Sequence, residues 1–256
     1  MDLGLNGKRF VVGGASKGLG RAVAVELARE GAKVLLLSRD EKALGDAVAD
    51  IGANASFAVI DIGSPDAAET VAAAVDAQLG GLDGVLVNAG GPPPGEVLKL
   101  TDEQWVQSFH LLIGGPIRLL RTLVPKMTDG GSILFITSSS VRQPIPNLDS
   151  SNVLRPGVAA MAKTLARELG PAIRVNSIAP GRFDTDRIRT LDKGRADVLG
   201  IRPDEQREAM SKTIPLGRYG EPEELARLAA FLLSPAASYV SGVAVGVDGA
   251  MVTAIP

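Results

Sequence analysis

The run VVGGASKGLGRA, Val11–Ala22, decides the fold of this chain. It joins an apolar, strand-like segment to a helix-like one, and Gly14, Gly18 and Gly20 stand within it at G-x-x-x-G-x-G spacing. Glycine lets the backbone turn tightly and approach a pyrophosphate, while the start of a helix offers unpaired N–H donors. Because the run links a strand to a helix at the beginning of a βαβ series, it indicates a dinucleotide-binding fold.

Short apolar segments alternate with helical patterns along the rest of the chain. Most are apolar at successive positions, which is typical of strands covered on both faces of a parallel sheet. The candidate strands are Arg9–Val12, Lys33–Ser38, Ser56–Ile60, Gly84–Asn88, Ser132–Thr137, Ile173–Ile178 and Val243–Val247. We therefore predict an α/β fold over residues 1–256, a single-domain, doubly wound (Rossmann) parallel sheet of about seven strands with helices on both faces.

One segment breaks this alternation. Residues 182–220 form a charged stretch that contains Pro203 and Pro215. An excursion of this length between regular elements is usually functional. We predict a lid over the site; the alternative is a surface insertion without a role.

Composition excludes several classes of protein. The 27 Lys and Arg residues nearly balance 29 Asp and Glu residues, which argues against a nucleic-acid partner. The absence of Cys excludes disulfides, thiolate nucleophiles and Cys-ligated metals, and we predict no metal site. With no signal-peptide pattern and no membrane-spanning apolar run, we expect a soluble cytoplasmic protein without a membrane partner.

Further motifs resemble those of the short-chain dehydrogenase/reductase superfamily over nearly the whole chain. The similarity is to the group that contains 3-oxoacyl-carrier-protein reductases and sugar or alcohol dehydrogenases. Besides a Ser-rich end to the fifth strand, the motifs are GGASKGLG (Gly13–Gly20), DI (Asp61–Ile62), VNAG (Val87–Gly90), RVNSIAPGRFDT (Arg174–Thr185) and SGVAVGVDGAMV (Ser241–Val252). The resemblance implies hydride transfer between a nicotinamide dinucleotide and a small-molecule carbonyl or alcohol, by a homo-oligomer, either a tetramer or a dimer.

The resemblance also implies which residues hold the coenzyme. They come from the glycine turn, from the ends of the second to fourth strands, and from the segment after the sixth strand. The set is Gly14, Ser16, Lys17, Gly18, Leu19, Gly20, Ser38, Arg39, Asp61, Ile62, Asn88, Ala89, Gly90, Arg155, Pro180, Gly181 and Thr185.

The tip of the second strand predicts which coenzyme is used. An acidic residue there would bond the ribose 2′-hydroxyl and favour NAD. The tip instead carries Ser38 and Arg39, which suit a 2′-phosphate, and Lys17 adds a second cation. We predict NADP(H), with NAD(H) as the alternative because Asp40 follows directly.

The catalytic positions implied by the resemblance are only partly retained. The family's Ser falls on Ser138, with Ser139 and Ser140 as alternatives in register. The Asn that supports a water relay in the family falls on Leu112.

The family's Tyr and Lys, four residues apart, fall on Ser151 and Arg155 in DSSNVLRPG (Asp149–Gly157). An alkyl hydroxyl is a far weaker acid than a phenol, and Arg keeps its proton, although it can bond a ribose. We nevertheless take Ser138, Ser151 and Arg155 as the candidate catalytic residues. Pro156 leaves two interpretations open: a helix that starts closely before it, or one that starts earlier and kinks there.

No substitute proton donor is evident. Tyr219 and Tyr239 lie far along the chain, and we interpret His110 as a helix-face or interface residue. Asp149 is nearer, and we hypothesise that it serves as an acid if it is buried. The sequence thus predicts an NADP(H)-dependent oxidoreductase with an atypical site. The alternative is a dinucleotide-binding sensor or assembly subunit with little or no turnover.

Overall fold

Seven parallel strands form one sheet in the computed structural model, which describes residues 1–254. The strands are β1 (Arg9–Gly13), β2 (Lys33–Ser38), β3 (Ala55–Val59), β4 (Leu82–Val87), β5 (Met127–Ile136), β6 (Ile173–Pro180) and β7 (Ala244–Val247). Their spatial order is β3-β2-β1-β4-β5-β6-β7. The chain therefore winds outward twice from the β1–β4 pair, which creates a crevice at the carboxyl ends of the strands. The predicted doubly wound parallel sheet is confirmed.

Nine α-helices connect these strands within the described residues. They are α1 (Gly18–Arg29), α2 (Glu41–Ile51), α3 (Ala67–Ala74), α4 (Asp102–Phe109), α5 (Gly115–Leu123), α6 (Asp149–Glu168), α7 (Asp186–Leu199), α8 (Pro203–Ser211) and α9 (Pro222–Leu233). Helices α1, α2 and α9 bury their apolar faces on one side of the sheet, and α3, α5 and α6 cover the other.

Strand β2 illustrates why the strand segments are continuously apolar. Val34 and Leu36 belong to the core on one side of the sheet, while Leu35 and Leu37 belong to the core on the other. Successive side chains of a strand point to opposite faces, so a strand covered on both faces needs an apolar residue at every position. Each fully buried Leu stabilises the fold by about 2 kcal/mol relative to exposure.

The segment predicted to be a lid contains α7 and α8. An isolated bridge between Phe183 and Gly220 closes its base. Arg207 forms a two-bond ion pair with Asp184 and stacks 4.6 Å above the ring of Tyr219, which ties α8 to the start of the segment. Over residues 1–254, every helix is either too short or too polar to cross a membrane.

Helix α6 begins at Asp149 and continues through Pro156 to Glu168. Pro156 thus lies beyond the first turn, on an exposed face where water can reach the Asn152 carbonyl that loses its helical donor. Ser151 and Arg155 are both buried, one turn apart on the inner face. The helix starts in the segment that the first interpretation named, but Pro156 lies seven residues inside it rather than in its first turn. Ser151 and Arg155 nevertheless keep a shared face.

Candidate active site

The glycine turn after β1 leaves the start of α1 open to a ligand. Gly14 and Gly18 both adopt positive φ, at 59° each, and a Cβ on Gly14 would stand 2.8 Å from Nδ2 of Asn88. Lys17 occupies the N-cap position of α1 without a side-chain capping bond. The first N–H groups of the helix are therefore available to an anion such as a phosphate.

The structure places Gly20 away from the cleft, whereas the sequence predicted that this residue contacts the coenzyme. It lies outside the cleft lining, and a Cβ there would stand 2.3 Å from the carbonyl oxygen of Gly14. Its missing side chain allows α1 to pack closely on the turn. Gly20 thus shapes the turn without lining the cleft.

A cleft of about 510 Å³ runs across the carboxyl ends of the strands and brings the other predicted residues together. The predicted residues that line it are Gly14, Ser16, Lys17, Gly18, Leu19, Ser38, Arg39, Asp61, Ile62, Asn88, Ala89, Gly90, Ser138, Ser151, Arg155, Pro180, Gly181 and Thr185. Parallel strands end at one edge of a sheet, so segments far apart in sequence meet there.

At the tip of β2, a hydroxyl and a guanidinium face the cleft. Ser38 Oγ and Ser16 Oγ lie 2.9 Å apart, and the exposed Arg39 guanidinium lies 3.6 Å from the Asp61 carboxylate. Asp40, the residue that kept NAD as an alternative, instead caps α2 by accepting the Ala43 N–H at 3.1 Å. The Asp40 carboxylate next to the tip of β2 is thus already hydrogen-bonded to the start of α2.

The end of β5 places one serine in the cleft. Ser138 lines it, whereas Ser139 and Ser140 are buried and lie outside the lining. Ser138 Oγ accepts the Ser140 N–H at 3.1 Å, an arrangement that leaves its O–H free to donate toward the cleft. Of the three registers, Ser138 is the one whose hydroxyl a ligand can reach.

Ser151 and Arg155 reach the same region from α6. The Ser151 hydroxyl lies 3.4 Å from the Ser140 hydroxyl, and Arg155 Nη1 donates to the Ile136 and Thr137 carbonyls at 3.0 and 2.8 Å. Only 8% of Arg155 is exposed. Its burial, and secondarily the nearby Arg187 cation, lower its pKa to about 10, so it stays protonated at neutral pH.

Three other candidates lie outside the cleft lining. Leu112 is buried in the hydrophobic core, within a π-helical turn that joins α4 to α5. His110 belongs to the same turn, and its Nδ1 is buried without a partner among the described residues. Asp149 is half-buried and accepts hydrogen bonds from Val97 N–H and Asn152 Nδ2, so the hypothesis that it supplies a proton in the cleft is not favoured.

Both tyrosines also lie elsewhere. Tyr219 is buried within the lid-like segment and donates a hydrogen bond from its hydroxyl to Asp192 at 2.8 Å. Burial is the main cause that raises the pKa of Tyr219 to about 12, and the raised pKa makes its hydroxyl a poorer acid than an ordinary phenol. Tyr239 is fully exposed. Neither phenol stands where a cleft ligand would be protonated.

Arg187 is a cleft residue that the sequence reasoning missed. It projects from the first turn of α7, and its Nη2 donates to the Pro92 carbonyl at 3.0 Å. A Cβ on Gly91 would stand 2.8 Å from the same nitrogen, so a side chain there would displace the guanidinium from its present position. The signal in the sequence is the glycine- and proline-rich run Gly90–Gly95, whose Gly91 leaves room for this guanidinium. Over residues 1–254 there is no cluster of three or more His, Cys, Asp or Glu side chains suited to a metal ion.

Comparisons with known proteins agree with this architecture. The family described as enoyl-(acyl carrier protein) reductase matches residues 14–251. The 3-oxoacyl-(acyl-carrier-protein) reductase FabG of Vibrio cholerae is 31% identical over 252 residues, covering 97% of this chain and 99% of the relative.

Two solved structures are similar along nearly all of the chain. L-Sorbose reductase from Gluconobacter frateurii, complexed with NADPH and L-sorbose, has a TM-score of 0.95 and 32% identity, with full coverage of both chains. A short chain oxidoreductase from Pseudomonas aeruginosa PAO1, containing an atypical catalytic center, has a TM-score of 0.89 and 27% identity, covering 98% of this chain and 100% of that chain. With its glycine turn, its parallel sheet and these relatives, the chain belongs to the short-chain dehydrogenase/reductase superfamily of oxidoreductases, as its motifs predicted.

Proposed function

We propose that the chain is an NADP(H)-dependent oxidoreductase that transfers hydride to or from a carbonyl or hydroxyl of a small molecule through an atypical catalytic site. One observation carries the proposal: the glycine turn, the Ser38–Arg39 tip and the Ser138 hydroxyl face a single cleft. A coenzyme bound along the turn would extend toward the serine, since both lie at the carboxyl edge of the sheet.

The residues present fit NADP(H). The uncapped start of α1 and the Gly14 cradle, which a Cβ would fill, suit a pyrophosphate. Ser38, Arg39 and Lys17 suit a 2′-phosphate, because guanidinium and ammonium groups form charge-assisted bonds to phosphate oxygens. The NADPH bound to L-sorbose reductase supports the same coenzyme for this chain. When bound, NADPH supplies the hydride.

Ser138 orients the substrate in this proposal. Its Oγ is already an acceptor for the Ser140 N–H, so its own proton is directed to the substrate oxygen. Arg155 contributes a fixed positive charge at the end of β5, which favours negative charge on that oxygen. Ser151 lines the cleft wall, and its hydroxyl lies beside the buried hydroxyl of Ser140.

The proton that completes the reaction comes from water in this proposal. Ser151 replaces a phenol by a much weaker acid, and Arg155 keeps its proton near neutral pH. The orientation of the hydride donor relative to the carbonyl supplies a large part of the rate enhancement, so the reaction can proceed without a phenol. The atypical catalytic center of the Pseudomonas aeruginosa oxidoreductase supports such a site within this fold. Residues 182–220 would act as the lid of the single domain.

The test is NADPH oxidation by the purified protein against ketones, aldehydes, sugars and 3-oxoacyl thioesters, with NADH in parallel. We expect turnover with NADPH, and we expect Ser138→Ala to lower kcat by about a hundredfold while the NADPH Kd stays nearly unchanged, because one positioned donor is lost. Ser139→Ala is the matched control, since Ser139 lies outside the cleft lining.

Two results would count against the proposal. NADPH binding without turnover on any substrate favours the alternative, a dinucleotide-binding protein that acts as a sensor or assembly subunit. Arg155 already donates hydrogen bonds to two backbone carbonyls, and this feature would favour that alternative. Absence of coenzyme binding would reject both functions.

Two further proposals concern the protein's context. We infer a homo-oligomer, a tetramer or dimer, because exposed apolar side chains project from the α4, α5 and α6 side of the sheet. They are Val106, Phe109, Ile117 and Val153. A cytoplasmic location stays a prediction from the sequence.

A further inference from the structure

We propose that the substrate carries a carboxylate beside its reacting carbonyl, and that Arg187 binds this carboxylate with Arg155 reinforcing the positive field. The inference rests on the proposed function, because it concerns the same cleft. It deepens that function by naming a class of substrate, the small oxo acids.

The position of Arg187 is the first observation. It lies on the lining of the cleft together with Ser138, Ser151 and Arg155, and it keeps more than a third of its surface accessible. Its Nη2 donates a hydrogen bond to the Pro92 carbonyl, which anchors one end of the guanidinium. Since Arg presents five N–H donors in a planar fork, the others stay available to a bidentate carboxylate.

The charge balance of the reactive end is the second observation. Among residues 1–254, Arg155 and Arg187 donate to backbone carbonyls and form no ion pair, and the nearby Arg187 cation disfavours the charge of Arg155. The acidic residues on the cleft lining are Asp61 and Asp186, which pair with Arg39 and Arg189. The cleft therefore holds one buried cation, Arg155, and one partly exposed cation, Arg187, and neither is in ion-pair contact with a carboxylate of the lining.

Unpaired, partly buried cations are costly, and one arrangement that offsets the cost is an anionic ligand. The coenzyme is the less favoured source of that anion, because the uncapped start of α1 already offers donors to the pyrophosphate. Arg187 instead spans the cleft toward the Gly91–Pro92 loop, which follows β4 beyond Asn88–Gly90. This geometry favours an anion carried by the substrate.

The test compares acids with their neutral esters: pyruvate with methyl pyruvate, and acetoacetate with methyl acetoacetate. The first readout is kcat/KM with NADPH. The second is calorimetric binding to the NADP⁺-loaded protein, in which an oxo compound cannot be reduced. We expect the acid of at least one pair to be preferred about tenfold or more, and Arg187→Gln to reduce that ratio to about threefold or less, because a charge-assisted contact is lost.

Arg195→Gln is the matched control, because it removes the same charge from an exposed position on the same helix, outside the cleft lining. We expect it to keep the wild-type ratio of acid to ester.

Equal use or binding of acid and ester by the wild type would overturn the inference, as would failure of every oxo acid to bind. A weaker Kd for NADPH in Arg187→Gln with an unchanged acid-to-ester ratio would assign Arg187 to the coenzyme instead. The proposed function would survive each of these results if neutral carbonyls are reduced, whereas loss of coenzyme binding by the wild type would reject that function itself.

Discussion

At the scale of one residue, we propose that Arg39 decides which coenzyme is bound. Three-quarters of its side chain is exposed, and its contact with Asp61 is an open ion pair at 3.6 Å. Exposed pairs contribute little to stability, typically below about 1 kcal/mol, so this cation is not needed to hold the fold. It is free to turn toward a phosphate at the tip of β2.

Arg39→Ala should raise the Kd for NADPH by about tenfold or more, since it removes a charge-assisted bond to the 2′-phosphate. The Kd for NADH, which lacks that phosphate, should hardly change. Fluorescence titration of both coenzymes measures the two constants. Arg29→Ala, which removes an exposed cation of α1, serves as the control. Equal weakening of NADPH and NADH would show that Arg39 does not distinguish them.

Arg155 and Arg187 are cleft residues in an unusual environment for their type, which Arg174 shares outside the cleft lining. A guanidinium is normally solvated, but burial lowers the pKa of both cleft residues. Arg155 compensates by donating to two carbonyls at the end of β5. Groups with perturbed pKa values concentrate at functional sites, and these two lie in the cleft that we propose for catalysis.

Among the elements, α9 shows how a helix is fixed at its start. Glu224 accepts the Glu221 N–H at 2.7 Å and forms two bonds with Arg218, both at 2.7 Å. The hydrogen bond to Arg218 is the main cause that lowers the pKa of Glu224 to about 2. The helix that follows packs Ala226, Ala229 and Ala230 against the core beside α1.

This helix start should be sensitive to acid. The pKa of Glu224 is lowered by folding from its ordinary 4.5, so its contribution is complete above about pH 4.5 and is lost as the pH falls toward about 2. We expect Tm to fall less between pH 5 and pH 2 in Glu224→Gln than in the wild type, measured by circular dichroism. Glu223→Gln, at the preceding position, controls for the loss of a carboxylate. Parallel Tm profiles for Glu224→Gln and wild type would contradict the assignment.

At the scale of the whole molecule, an apolar groove lies between α5 and α6 on the surface. It has a volume of about 430 Å³ and is lined mainly by Ile117, Leu120, Val124, Met161 and Leu165. Apolar lining at an accessible face is typical of association between subunits. The groove therefore supports the homo-oligomer that the resemblance implied.

Ile117→Asp should shift the protein to a smaller species, because it places a charge in this groove. Light scattering after size exclusion should give a multiple of 26.4 kDa for the wild type and a lower mass for the variant. Val198→Asp, at an exposed site of α7, controls for the added charge. A monomeric wild type would refute the assembly.

Much of the coenzyme end could be predicted from the sequence because its signals are local. The glycine turn, the strand that precedes it and the helix that follows it are contiguous, and the period of apolar residues indicates each element directly. The seven candidate strands all appear, within a few residues of the predicted ends except at the start of β5, which begins at Met127. Gly20 is an exception within the turn, since its role depends on how closely α1 packs on Gly14.

The sequence by itself determined the doubly wound sheet, the glycine turn and the place of Ser138 near the end of β5. Tertiary structure alone decided which of three serines faces the cleft, that Asp149 turns to Val97, and that Arg187 meets Pro92 across 95 positions of chain. The physical reason is that periodicity reports which side of an element is buried, whereas a contact between distant segments depends on how the elements pack.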